Sequence, residues 1–375
     1  MIFGGIIMLS IMGGANYYVA RRLYQWLNLL FPQLNVIIFI GIYVFLAVAM
    51  ILGLLPLPAT IKSGVSWIGV LFYGFFIYLL IFTLAADLIV LIGVLTKIIP
   101  SPISHIVLFC KGLMVVLLSV GIVSYGLYNA NQIKRVSYEV QIKGADLGNL
   151  KIALISDLHL GTTINESNLA KVIQEVNDLE PDIVCIAGDI FNDDFNAIRD
   201  PAKMSGLFKS IKATYGVYAC SGNHDGGSTF DEMVSFLEQC DVRLLNDEHV
   251  IIDDRLALFG RMDASPIGGF GGRERQDISD VIAAMGASMP VIVMEHNPSH
   301  INEYGGEVLL ILAGHSHRGQ IFPGSLITRA VFDVDYGYYQ KDENSPNVIV
   351  SSGAGVWGPP LRVGTNNEIV IINLR

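Results

Sequence analysis

Residues 216–225 read GVYACSGNHD, a short apolar run followed by a glycine and then by polar side chains. Residues 216–221 have the composition of a strand that is buried on both faces. Gly222 allows the chain to turn sharply there because it has no Cβ to clash. The side chains that come next can bind metals or exchange protons: Asn223, His224 and Asp225. A strand that ends in such residues predicts a site beyond its carboxyl end, where ligands of α/β sheets bind.

Four further apolar runs end in the same way, two before this one and two after it. The ligand-type residues that follow these runs are Asp157 and His159, then Asp189 and Asn192, then His296, and finally His315 and His317. Asp157 and Asp189 are 32 residues apart, and Asn223 follows 34 residues later, which is the spacing of successive βα units. Five such strands side by side would bring these side chains to one edge of a sheet.

Apolar and helical runs alternate from about residue 137 onward, which predicts an α/β fold. Candidate strands are 150–156, 182–187, 216–221, 256–259, 291–295, 308–313, 347–352 and 368–374. Candidate helices are 164–179, 203–212, 229–239 and 277–286. The first of these helices has Thr163 and Glu166 at the spacing of a capping box.

The chemistry of the candidate ligands indicates which ions they would hold. The candidates are Asp157, His159, Asp189, Asn223, His296, His315 and His317. Histidine nitrogen together with carboxylate and amide oxygen suits first-row ions such as Mn, Fe, Zn or Co. The set contains no thiolate, so a structural zinc site is not expected. Seven ligands exceed what one ion needs, so we expect two divalent ions that share a carboxylate.

The first 130 residues differ in composition from the rest of the 375-residue chain. They contain five basic residues and one acid, whereas the remaining 245 residues hold 19 basic and 33 acidic residues. About 20 apolar residues cross the hydrocarbon layer of a bilayer. The stretches that reach or approach this length are 2–20, 35–56, 67–95 and 106–128. We therefore predict about four transmembrane helices over 1–130, a linker or first strand over 131–148, and an α/β domain over 149–375.

The charge distribution bears on partners and on orientation. The acidic second region excludes non-specific nucleic-acid binding, which needs clustered lysine and arginine. The basic residues of all loops together do not decide the orientation. A cytoplasmic first loop, with Arg21 and Arg22, would put both termini and the α/β domain outside the plasma membrane. Asp87, the one acid within a predicted span, has Lys111 of the next span as its candidate partner.

Over residues 148–375 the sequence resembles the calcineurin-like phosphoesterase superfamily, and most of all its bacterial membrane-associated branch. The resemblance is carried by the strand-end motifs together with the tail segments SGAG (352–355) and GPPLR (358–362). It implies a four-layer αββα sandwich, in which two sheets are flanked by helices. It also implies one metal held by Asp157, His159, Asp189 and His317, and a second held by Asp189, Asn223, His296 and His315, with Asp189 as the bridge.

The resemblance further implies that the site hydrolyses phosphate esters. Hydroxide formed from water shared by the two ions would attack phosphorus, and His224, next to the ligand Asn223, would protonate the leaving oxygen. Asp225 is expected either to orient the His224 imidazole or to cap its loop. Two positions depart from the family pattern: Asn192 stands where many members have an acid, and Arg318 where this branch often has glycine. Arg318 is expected either to contact the substrate phosphate or to cap a turn.

We therefore expect a membrane-anchored phosphodiesterase or pyrophosphatase. A lipid-linked or envelope-associated substrate is expected because the anchor would hold the active site near the bilayer. The main alternative is a non-catalytic membrane sensor that keeps the fold, but such a protein should have lost ligands and none is missing here. A transporter with an accessory phosphoesterase domain is a further alternative, and it depends on Asp87 alone.

Overall fold

The structure is a computed structural model that describes residues 2–53, 55, 57–141, 148–161, 163–277 and 289–375. The chain divides into two compact units. The first comprises residues 1–127 and 358–360, and the second comprises residues 128–357 and 361–375.

The first unit contains the helices that the sequence predicted as membrane spans. They are α1 (Ile2–Leu30), α2 (Val36–Leu52), α3 (Ala59–Leu95) and α4 (His105–Asn129), the last two residues of α4 belonging to the second unit. Within the described ranges, α3 and α4 are long and apolar enough to cross a membrane, whereas α2 has only 17 residues. Two of the four predicted spans are thus supported as candidate membrane helices.

Asp87 in α3 lies in an ion-pair cluster within the first unit. Its carboxylate is 2.6 Å from the Lys111 ammonium of α4 and 2.6 Å from the Arg22 guanidinium of α1. The Tyr18 hydroxyl donates a further hydrogen bond of 2.7 Å to the same carboxylate. The predicted pairing of Asp87 with Lys111 is confirmed. Because the cluster links three helices, Asp87 has a structural role within the first unit.

The second unit is built on two six-stranded sheets. The strands of the first sheet are, in spatial order, β1 (Ile133–Val140), β12 (Asn367–Leu374), β2 (Leu150–Ile155), β3 (Ile183–Ala187), β4 (Val217–Cys220) and β5 (Val242–Leu244). Those of the second are β10 (Gly337–Tyr339), β11 (Asn347–Val350), β9 (Leu310–Ala313), β8 (Val291–Met294), β7 (Leu256–Gly260) and β6 (Glu248–Ile252). All eight predicted strands are confirmed, and the other four form the edges of the two sheets.

The two sheets pack face to face through alternate side chains of their strands. Ile152 and Leu154 of β2 pack in one core with residues of the second sheet such as Ile292. Ala153 and Ile155 of the same strand point the other way, into a core shared with helices. These helices are α5 (Glu166–Asn177), α6 (Pro201–Lys209) and α7 (Phe230–Gln239). Burial on both faces explains why the central strands are continuous apolar runs.

Three of the four predicted helices are confirmed with bounds that differ by up to three residues, and the predicted helix 277–286 lies largely outside the described residues. The capping box of α5 is formed by Asn165 and Asn168 rather than by Thr163 and Glu166. The helix begins after the N-cap Asn165, and the Ile164 carbonyl before it accepts the backbone N–H of Gly161 at 3.0 Å. A further short helix, α8 (Gly324–Val331), follows the last ligand motif.

Parallel pairing places the ligand loops. β2, β3 and β4 are parallel neighbours in the first sheet, and β8 and β9 are parallel neighbours in the second. The expectation that all five strands lie side by side is therefore wrong, because they divide three and two between the sheets. The loops still converge, since the carboxyl ends of both groups of strands meet at the same end of the sandwich.

Candidate metal centre

Six of the seven predicted ligands form two compact groups. Asp157 and His159 follow β2, and they lie with His317, which follows β9. Asp189, after β3, lies with two histidines of the second sheet: His296, after β8, and His315, after β9. Within each group, one ligating atom from each residue lies within 4.8 Å of the others. Both sheets therefore contribute side chains to both groups.

The Asp189 carboxylate lies between the two groups. Its Oδ2 atom is 3.7 Å from Nε2 of His159 and 3.2 Å from Nε2 of His296. Its Oδ1 atom accepts the backbone N–H of His224 at 2.8 Å. This is the position that a bridging carboxylate requires. Gly222 permits the arrangement because a Cβ there would collide with the Asp189 side chain.

The seventh predicted ligand, Asn223, joins the second group. Its Oδ1 atom is 2.9 Å from Nδ1 of His315, which in turn is 3.2 Å from Nε2 of His296. Nδ1 of His296 lies 2.8 Å from the Ala187 carbonyl and donates to it, so Nε2 is the ring nitrogen that faces the other ligands. A histidine ring held in this orientation presents Nε2 to a metal ion.

The donor atoms fit two divalent cations. In the first group, Nε2 of His159 and Nε2 of His317 face each other at 3.0 Å, so two ring nitrogens converge on one point together with the Asp157 carboxylate. The set offers imidazole nitrogen with carboxylate and amide oxygen, which suits borderline first-row metals. A buried cluster of ring nitrogens and carboxylates is unfavourable unless a cation neutralises the carboxylates and accepts the nitrogen lone pairs.

Most ligands adopt a strained backbone conformation. Asp157, His159, Asp189, His315 and His317 have φ values between 48° and 70°. Non-glycine residues enter this left-handed region rarely, at a cost of roughly 1–2 kcal/mol each. The strain turns the chain immediately after each strand, so that the side chains point into one site rather than along the strand.

Burial sets the protonation state of several ligands in the metal-free protein. It lowers the pKa of His159 to about 4 and that of His315 to about 3, so both rings are neutral at pH 7 and can bind a cation. It raises the pKa of Asp157 to about 6. For Asp189 the effect of burial is outweighed by the charge of His296 and by its hydrogen bond, which hold the pKa of this carboxyl below the usual range.

His224 is oriented by Asp193. Its Nδ1 atom is 2.7 Å from Oδ1 of Asp193, and its carbonyl accepts the backbone N–H of the same residue at 3.0 Å. Burial would lower the pKa of His224, but the hydrogen bond to Asp193 and the charges of Asp189 and Asp225 together raise it. Sequence reasoning missed this role of Asp193. The available signal was an acid one position after Asn192.

Asp225 caps its loop. Its two carboxylate oxygens accept the backbone N–H groups of Phe191 and Gly222, each at 2.8 Å. Of the two roles expected for Asp225, the hydrogen bonds therefore correspond to loop capping, and Asp193 orients the imidazole instead. Burial raises the pKa of Asp225 to about 7.

Comparison with known proteins identifies the family of the chain. The sequence model of the calcineurin-like phosphoesterase family matches residues 150–319. An uncharacterized metallophosphoesterase of Campylobacter jejuni is 30% identical over all of this chain and 98% of its own length. The chain belongs to the calcineurin-like phosphoesterase family. With both ligand groups in place, this calcineurin-like phosphoesterase is a metal-dependent phosphoester hydrolase.

Other relatives of this phosphoesterase carry more specific names. A Bos taurus protein named "transmembrane protein with metallophosphoesterase domain" is 30% identical over 67% of this chain and 59% of its own length. The UDP-2,3-diacylglucosamine pyrophosphatase LpxG of Chlamydia trachomatis is 23% identical over 61% of this chain and 85% of its own length.

Two arginines lie near the ligands of this phosphoesterase. Arg318 places its guanidinium over the Tyr336 ring, 4.2 Å from the centroid. Arg362, which is fully buried, donates to the His317 carbonyl at 3.0 Å and to the carbonyls of Ser352 and Gly355. Arg362 thus fixes the loop that carries His317. The sequence showed this arginine only as part of the tail motif.

Proposed function

We propose that this phosphoesterase binds two divalent cations, one at Asp157, His159, Asp189 and His317 and one at Asp189, Asn223, His296 and His315. Two such ions would activate water and neutralise charge on a bound phosphate. The single observation that carries the proposal is the position of Asp189, whose Oδ2 atom lies within 3.7 Å of a histidine from each group.

We propose that His224 donates a proton to the leaving oxygen. Asp193 binds the Nδ1 side of the ring, so Nε2 is the atom left to face a substrate. The His224 ring centroid is 5.0 Å from that of His159, which puts it at the edge of the first ligand group. The raised pKa favours the imidazolium, which can give up a proton as the P–O bond breaks.

We propose that the substrate is a phosphodiester or pyrophosphate joined to a lipid. Two helices are candidate membrane spans, and relatives are named as transmembrane proteins. Only three residues separate the end of α4 at Asn129 from β1. LpxG, a relative, is named for the hydrolysis of a lipid-linked pyrophosphate. A complete ligand set argues against the alternative of a non-catalytic sensor.

We also propose that the protein crosses the plasma membrane four times, with Arg21 and Arg22 in the cytoplasm and the second unit outside. A reporter fused after Arg375 tests this orientation. Alkaline phosphatase should be active there and a fluorescent protein that folds only in the cytoplasm should be dark. The reverse pattern would place the active site in the cytoplasm and leave the hydrolase proposal intact.

The hydrolase proposal is tested with the purified full-length chain. It is assayed on bis(p-nitrophenyl) phosphate after loading with Mn, Fe, Zn or Co, and the same samples are analysed for bound metal. We expect two ions per chain and hydrolysis that a chelator abolishes. The Asp157→Asn variant should bind fewer than two ions per chain and should lose hydrolysis. Absence of hydrolysis with all four metals would refute the proposal.

A further inference from the structure

Helix α8 exposes its apolar side chains instead of burying them. Leu326, Ile327 and Val331 are 58%, 65% and 67% exposed, and no residue of the helix is buried. Together with Ala330 they occupy one side of the helix, because residues four apart lie on the same face. Exposed apolar side chains grouped on one helix face form a candidate binding surface.

The opposite, polar side of α8 is joined to the metal-ligand loop. The Thr328 hydroxyl donates to the Asp335 carboxylate at 3.0 Å, and the Ser316 hydroxyl donates to the Asp335 carbonyl at 2.5 Å. Ser316 lies between the ligands His315 and His317. Helix α8 is thus linked through Asp335 to the loop that supplies two ligands, and its polar side is hydrogen-bonded within the protein.

Trp357 is a second exposed apolar group at the same loop. Its indole is 52% exposed, and its ring centroid lies 5.8 Å from that of His224. Both its backbone N–H and its carbonyl are hydrogen-bonded to the Gln320 side chain, at 2.8 and 2.7 Å. Gln320 lies between His317 and α8. Trp357 and α8 therefore flank the short segment that follows the last ligand.

The segment between His317 and α8 is also linked by hydrogen bonds to Asn129, a residue of the second unit. Asn129, the last residue of α4, donates to the carbonyls of Arg362 and Thr365 at 3.0 and 2.8 Å. The Thr365 hydroxyl in turn donates to the Gln320 carbonyl at 2.8 Å. Two hydrogen-bonding steps, through Thr365, thus connect Asn129 to Gln320 within the second unit.

We propose that the apolar face of α8 and the Trp357 indole bind the hydrocarbon chain of the substrate while its phosphate lies at the metal centre. The inference rests on the proposed function and specifies which part of the protein selects a lipid-linked ester. A hydrocarbon chain attached to a phosphate is the occupant that suits both features. The hydrocarbon chain supplies apolar surface that packs against Leu326 and Ile327, and it is attached to a phosphate that is bound beside His224.

The test uses the full-length chain in nanodiscs and two substrates that release the same p-nitrophenolate: methyl p-nitrophenyl phosphate and hexadecyl p-nitrophenyl phosphate. We compare the wild type with the double variant Leu326→Gln/Ile327→Gln, in which glutamine preserves helix propensity. The ratio of kcat/KM for the hexadecyl ester to that for the methyl ester should fall by roughly tenfold. The matched control is Ile251→Gln, an apolar residue 51% exposed on the edge strand β6, which should keep the wild-type ratio.

The inference would be overturned if the double variant had the wild-type ratio of kcat/KM values. An equal loss of kcat/KM on both esters is such a result. A wild type that cleaves neither ester would instead refute the proposed phosphodiester hydrolysis.

A binding measurement tests the apolar surface separately from hydrolysis. In a Trp26→Phe/Trp67→Phe background the emission comes from Trp357 alone. Bromododecyl phosphate should quench it more strongly than bromoethyl phosphate, and equal quenching by the two would overturn the inference.

Discussion

Replacing Asp193 by asparagine tests how the proposed proton donor is held. Asp193→Asn keeps the size of the side chain and removes the charge that faces Nδ1 of His224 at 2.7 Å. A hydrogen bond between charged groups contributes about 1.5–3 kcal/mol. The Asp193 side chain is 45% exposed and therefore screened by solvent, so the lower end of that range applies. About 1.5 kcal/mol corresponds to roughly a tenfold loss in rate when proton donation limits the reaction.

The assay compares phenyl methyl phosphate with p-nitrophenyl methyl phosphate. Phenolate is a poor leaving group that benefits from a proton, whereas p-nitrophenolate leaves as a stable anion. Asp193→Asn should therefore slow release of phenol about tenfold more than release of p-nitrophenol. The matched control is Asp194→Asn, which removes the same charge from a carboxylate that accepts the backbone N–H of Asn196.

The pH profile gives a second readout of the same variant. Proton donation requires protonated His224, so the rate with phenyl methyl phosphate should fall as the pH rises through the pKa of this ring. Asp193 raises that pKa together with Asp189 and Asp225, so the fall should begin at a lower pH in Asp193→Asn. Equal slowing of both substrates, or the same effect in Asp194→Asn, would refute the reasoning.

Three further substitutions probe the site. Asp189→Asn should reduce bound metal below two ions per chain, which metal analysis measures. It should also lower kcat for bis(p-nitrophenyl) phosphate by more than roughly a hundredfold, because substitution of a residue that only supports a ligand can already cost up to that much. Asp225→Asn should destabilise chelator-treated protein by about 1–3 kcal/mol, because an amide can accept from only one of the two backbone N–H groups. The folded pKa of Asp225 is raised to about 7, so wild-type stability from this group is lost as the pH rises toward 7, and the measured difference should be smaller at pH 8 than at pH 5. Arg362→Lys should weaken metal binding by about 10–100-fold in a metal titration, because an ammonium cannot hold the carbonyls of His317, Ser352 and Gly355 together.

The central strands and their ligands could be predicted because burial leaves a strong pattern in the sequence. β2, β3, β4, β8 and β9 are short runs that are apolar except for Lys151, and a ligand follows each strand after one or two residues. The sequence does not show which sheet a parallel strand joins. Both faces of these central strands are buried and apolar, so the division of the five strands between two sheets has no local signal.

Three strands (β5, β6 and β10) were not predicted, and β1 was predicted only as a linker or first strand over 131–148; all four are edge strands. β1, β5, β6 and β10 each pair on one side only, and β5 and β10 have three residues apiece. An edge strand is half exposed and tolerates charge, as in the Lys134-Arg135 pair of β1. Polar and apolar residues then mix without a clear period, and the pattern resembles a loop.

The role of Asp193 could not be predicted because it depends on backbone conformation rather than on spacing. Many members of the family have an acid at the position where Asn192 stands. Asp193 has a φ of 64°, and its N–H binds the carbonyl of His224, so its side chain turns back toward the imidazole. A shift of one position along the chain is thus compensated by a left-handed turn, which a comparison of motif spacing cannot detect.

The strained ligand loops explain why the site needs two sheets around it. Five ligands in left-handed conformations, at roughly 1–2 kcal/mol each, approach the whole stability of an ordinary domain. Loops on a single layer would relax by moving the side chains apart. Here Asp157 is held by the backbone N–H of His315 from the opposite sheet, and His296 by the Ala187 carbonyl, also across the sandwich. Because each sheet holds the ligands of the other, the loops cannot relax without separating two packed layers, and the ligands are kept in place before a cation binds.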